Sequence, residues 1–147
     1  MKMMVCLHEP DDSRELMRKA LGFAELMSAE VYLVHVVPPD PDFIGYEPGP
    51  QTVRDNLAKR FRVLHEALEA KAETLRKKGI DATALLVQGP TAETLLDEAG
   101  KRAVDLIVLG SHNNTIFHDL VAGSVQRDVA RTSNIPVLVI PQTIRPE

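Results

Sequence analysis

Five short apolar runs, four of them followed by a stretch of helical periodicity, constrain this chain more than any other feature. Lys2 to His8, Glu30 to Val37, Ala82 to Gln88, Val104 to Leu109 and Pro136 to Ile140 read as strands. The second is rich in valine and almost continuously apolar, as a strand covered on both faces must be. Asp12 or Ser13 caps a first helix whose apolar face is Leu16, Ala20, Phe23, Ala24 and Met27. A long helix over 52–78 carries the stripe Val53, Leu57, Phe61, Leu64, Leu68, Ala72 and Leu75, and Gly79 ends it. Further helices are expected from Thr91 to about Arg102 and from about Asp119 to Thr132, the latter with Val121, Val125 and Val129 on one side. Strands alternating with helices require parallel pairing through right-handed crossovers. The expected architecture is a three-layer α/β/α sandwich around a five-stranded, mostly parallel sheet of Rossmann type, one domain over 1–147.

Composition removes several classes of function. With 17 Lys and Arg against 21 Asp and Glu, the net charge of −4 gives no general pull toward nucleic acid or an anionic membrane. The second helix is locally basic, which suits a solvated outer face with cations at its C-terminal end. Apolar runs fall far short of the ~18 residues that a membrane span needs. The opening run to His8 is cut off by Glu9-Pro10-Asp11-Asp12, too soon for a signal peptide. The lone cysteine, Cys6, has no internal partner and suits a reducing compartment, so a cytoplasmic protein is expected.

In such sheets ligands bind beyond the carboxyl ends of the strands, where the strand order reverses. The stretches to inspect are His8 to Asp12, Val37 to Pro39, Gln88 to Thr91 and Gly110 to Asn114. Gly110-Ser111-His112-Asn113 and, ten residues on, Gly123-Ser124-Val125 can form an anion cradle. Glycine lets backbone approach a phosphate closely, and N–H groups at a helix start point at the charge. The plainer reading is a tight turn at Gly110 and close helix packing at Gly123-Ser124. His8, His112 and His118, with Asp11 and Asp12, share one end of the sheet but lack the spacing of a zinc motif, so no metal site is assigned. His35 reads as a hydrogen-bonded core residue and His65 as a surface residue. Ser111 and Ser124 have no elbow motif and no identifiable orienting group, so no catalytic residue is assigned.

The frame Gly110, two residues, Asn113, nine residues, Gly123-Ser124 resembles the universal stress protein family, which has glycine, two residues, glycine, nine residues, then Gly-Ser or Gly-Thr. Leu33-Val34-His35-Val36-Val37 and Ile135-Pro136-Val137-Leu138-Val139-Ile140 are similar to its second and closing strands. The resemblance covers nearly the whole chain. It implies the adenine nucleotide alpha hydrolase-like fold and a homodimer, often paired through the last strand, here Pro136 to Ile140. Some members bind ATP or AMP, with magnesium accompanying ATP, and others bind neither. Carried over, the binding positions are Cys6, Leu7 and His8 at the end of the first strand, and Val36 on the second. Leu109, Gly110, Asn113, Gly123, Ser124 and Val125 complete the set. Two depart from the pattern. His8 stands where binders have aspartate, and imidazole lacks the two-oxygen grip of a carboxylate on a diol. Asn113 stands for the second glycine; it tolerates a left-handed backbone but fills space near the ligand.

The segment 38–51 holds five of the ten prolines, together with Phe43, Ile44 and Tyr46. It reads as a stiff loop insertion that caps the cleft, packs on a second subunit or covers the second helix. The resemblance implies a dimeric, small-ligand-responsive stress or regulatory protein that takes ATP or AMP at the strand ends. The alternatives are a dimeric interaction module that binds no nucleotide and, third, a slow ATP hydrolase, since no Walker-type lysine follows a glycine-rich loop.

Overall fold

The structure is a computed structural model and describes residues 1–7, 14–37, 51–112 and 125–142. Five strands form one sheet: β1 (Lys2–Cys6), β2 (Glu30–Val37), β3 (Ala82–Gln88), β4 (Leu106–His112) and β5 (Val137–Gln142). Among the described residues there are four helices: α1 (Arg14–Met27), α2 (Gln51–Lys77), α3 (Thr91–Lys101) and α4 (Val125–Thr132). The strand order is β3-β2-β1-β4-β5, and every pairing is parallel. No helix among the described residues is long and apolar enough to cross a membrane.

Strand alternation divides the core into two sides. Met3, Val5 and Leu7 of β1 join Val31 and Leu33 of β2 under α1 and α2. Met4 of β1, Tyr32, Val34 and Val36 of β2, and Ile107 and Leu109 of β4 pack under α3 and α4. β1 lies between both neighbours, which is why Met3, Met4 and Val5 are all fully buried.

Several element ends differ from the expectation. β1 stops at Cys6, and α1 starts at Arg14; His8 and the expected caps Asp12 and Ser13 lie outside the described residues. Val104 is not in β4. Its N–H instead bonds Ala99 O at 3.0 Å and closes α3, so the ladder opens at Met3↔Leu106. At its other end β4 runs on through Gly110, Ser111 and His112, where a loop is expected, because Ile140, Pro141 and Gln142 of β5 keep pairing with it. A proline is tolerated in β5 because it is an edge strand. In α1, Phe23 is 37% exposed; Leu16, Ala20 and Ala24 carry the buried face without it. Gly79, at φ +86°, ends α2 in the left-handed region as expected.

α2 is longer than the sheet it covers. Its 27 residues span roughly 40 Å at 1.5 Å per residue. The seven of β3 span only about 23 Å. Leu68, Ala72 and Leu75, all in its C-terminal half, enter the core, whereas Leu57, Phe61 and Leu64 are only half-buried. The inner half is tied down by Arg76, which donates to Ala82 O at 2.9 Å and pairs with Glu69 at 2.5 Å and Glu73 at 3.1 Å. The outer half overhangs the carboxyl ends of the strands.

Cys6 packs against the α3/α4 side. The residue as a whole is half-buried, yet burial pushes its thiol from 9.0 up to about 12. The folded chain therefore keeps a proton that the unfolded chain releases, and stability is lost as pH rises between those two values.

Two outcomes follow for stability. Leu68, 0% exposed, should cost about 2–5 kcal/mol on replacement by Ala. Val63→Ala on the overhang, where Val63 is 64% exposed, should stay within about 0.5 kcal/mol in the same urea unfolding series. Between pH 9 and about 12 the unfolding midpoint should fall more steeply in the wild type than in Cys6→Ala, because only the former carries the shifted thiol.

Candidate functional site

The chain moves outward from β1 through β2 to β3, then returns to the other side of β1 for β4 and β5. The strand order therefore reverses between β1 and β4, the point where sheets of this kind take ligands beyond the carboxyl ends of their strands. Register places the residues around it. Cys6 stands level with Val34 on one side and with Leu109 on the other. Gly110 follows one step higher, opposite Ile140. Val36 lies one pleat above Val34, opposite Val87 of β3.

Six of the sequence-derived site residues are described: Cys6, Leu7, Val36, Leu109, Gly110 and Val125. Cys6, Val36, Leu109 and Val125 belong to one apolar cluster on the α3/α4 side. Leu7 belongs to the opposite side, in the cluster beneath α1 and α2. His8, Asn113, Gly123 and Ser124 lie outside the described residues, as do His118, Asp11 and Asp12 and nearly all of the proline segment. Among the described residues no group of three or more His, Cys, Asp or Glu could hold a metal ion.

The wall that this side presents is chemically quiet. Val36 and Leu109 are buried, and burial holds the Cys6 thiol in its neutral form at physiological pH. Apolar residues of this kind suit the flat, weakly polar face of a heterocycle and offer nothing to a charged group. Cys6 and His35 sit near each other in the register, but alternation sends them to opposite sides of the sheet, so they form no thiol–imidazole pair.

His35 has a different role. It is 9% exposed and is the polar residue found among the buried ones. Its Nδ1 lies 2.9 Å from Leu7 O. A carbonyl oxygen only accepts, so the ring donates and Nδ1 carries the hydrogen. The sequence marks His35 as a hydrogen-bonded core residue, as found; its partner at the end of β1 was not legible there. The available signal was a lone polar side chain inside an apolar strand, which must find a partner once buried. His65 on α2 is exposed, also as expected.

The geometry of an α/β sheet with a reversal between its first and fourth strands is shared with proteins already known. The family model for the universal stress protein family matches residues 1–141. Universal stress protein YxiE of Bacillus subtilis is 28% identical, over 95% of this chain and 97% of its own. The universal stress protein from Archaeoglobus fulgidus in complex with dAMP superposes with a TM-score of 0.63 at 25% identity, covering 95% of this chain and 97% of that one. A universal stress protein in complex with cAMP has a TM-score of 0.72 at 19% identity, covering 95% and 96% of the two chains, and shares the fold. From its first strand to its last, this chain belongs to the universal stress protein family.

Proposed function

We propose that this chain is a dimeric, small-ligand-responsive stress protein whose β1/β4 crevice takes an adenine nucleotide, AMP or ATP, with magnesium accompanying ATP. One observation carries the reading. Cys6, Val36, Leu109 and Val125 come from four separate elements and belong to one apolar cluster, on the side of the sheet under α3 and α4. That is where an apolar purine wall is needed, and the dAMP complex of the Archaeoglobus fulgidus relative supports the ligand class. The described residues account for the base end of such a ligand. Gly110 begins the route to the phosphates, and Gly123 and Ser124 are assigned to them by the family pattern alone. His8 in place of the family's aspartate weakens the grip on the ribose diol.

Binding rather than turnover is the proposed activity, because the sequence offers no nucleophile elbow and no Walker-type lysine. A slow hydrolase would reveal itself by metal-dependent phosphate release.

The dimer reading rests on β5. It pairs only with β4, and Val139 on it is 42% exposed. An open edge of this apolar character invites a second strand. The same edge would serve a dimeric interaction module that binds no nucleotide, and the two readings separate by titration.

Calorimetric titration with AMP, and with ATP plus magnesium, should give micromolar binding that Gly123→Leu abolishes. Absence of heat at millimolar nucleotide would leave the interaction module. Val139→Lys should shift sedimentation from dimer to monomer; an unchanged dimer would remove β5 from the interface.

A further inference from the structure

We propose that His35 is a positioning residue for the crevice, acting through the backbone of Leu7 from the far side of the sheet. The ladder between β1 and β2 ends at Cys6↔Val34. Leu7 lies one residue beyond it. Its N–H still reaches Val34 O at 2.8 Å, and its carbonyl is taken by the His35 ring at 2.9 Å. β2 therefore grips both polar groups of Leu7, one through backbone and one through a side chain. Leu7 is 1% exposed, and among the described residues the imidazole is the partner of its carbonyl, so losing the ring removes that bond from a buried acceptor.

The pin lies at Leu7, one residue past the end of β1. Holding a carbonyl fixes the plane of its peptide bond, because the unit is rigid. His35 thus fixes the backbone at the carboxyl end of β1, beside the reversal in strand order. Leu is close to His in volume and offers no donor. Asn carries an amide that can stand where Nδ1 stands and donate the same bond. This contrast separates positioning from mere filling of the core.

The consequence for affinity rests on the nucleotide reading above, whereas the pin itself does not. The experiment uses the full-length protein, its His35→Leu and His35→Asn variants, and two readouts. The first is amide hydrogen exchange in the peptide covering Leu7; the second is calorimetric titration with AMP. We expect His35→Leu to speed exchange there and to weaken AMP about ten-fold, the effect of a supporting hydrogen bond lost from a rim. His35→Asn should restore most of both, even where its melting temperature stays below the wild type. Unchanged exchange in His35→Leu would overturn the pin. Faster exchange with unchanged AMP affinity, or no recovery in His35→Asn, would overturn the positioning role. A wild type that binds no AMP would overturn the nucleotide reading and the affinity effect together, while the exchange comparison would still decide the pin.

Discussion

A parallel sheet has no face to give to water. Its strands are joined by crossovers that lay helices on both sides, and every residue of the central strand must then be apolar or paired. β1 stands at the centre of this demand, with β2 and β4 on its flanks and a helical layer on each side. The rest of the architecture follows from that placement. Because β1 is central, the chain must return past it to build β4. Because it returns, the strand order reverses between β1 and β4. The proposed ligand crevice is thus a topological by-product of placing the first strand at the centre.

The two sides of the sheet divide the work at that crevice. The α3/α4 side supplies the apolar wall, with Val36 and Leu109 buried and the Cys6 thiol kept protonated. The α1/α2 side supplies support, through Leu7 packed in its core and His35 bonded to the Leu7 carbonyl. Neighbours along a strand point to opposite sides. A single strand end therefore contributes one residue to the wall and the next to its support, and the chemistry of the two stays separate.

Much of this was legible in the residues. β2 and β3 begin and end where their apolar runs do; β2 is covered on both faces, and β3, at the edge, keeps the apolar run while half-buried. The sandwich and the family follow from element order and from the spaced glycines. What was not legible depends on partners distant in sequence. Gly110 looks like punctuation, yet the strand continues through it because β5 pairs alongside. Val104 looks like a strand residue, yet its N–H closes α3. Phe23 fits the helical stripe, but the sheet under α1 is filled by Leu16, Ala20 and Ala24. The family pattern named Cys6, Val36, Leu109 and Val125, which share one apolar cluster; the His35–Leu7 bond was not legible, since no spacing says which carbonyl a buried imidazole will meet.

The pairing of Met3 with Leu106 has a consequence for how the chain reaches this state. During synthesis β1 emerges first, and β2 can soon lie beside it. Its other edge has no neighbour until β4 leaves the ribosome, about a hundred residues later. Non-local pairing of this kind is slow, because chain must be closed into a loop before any contact rewards it. Nascent chains therefore carry the central strand of the protein with one edge open for most of translation. That open edge is where a chaperone, or a misfolded neighbour, finds its opportunity.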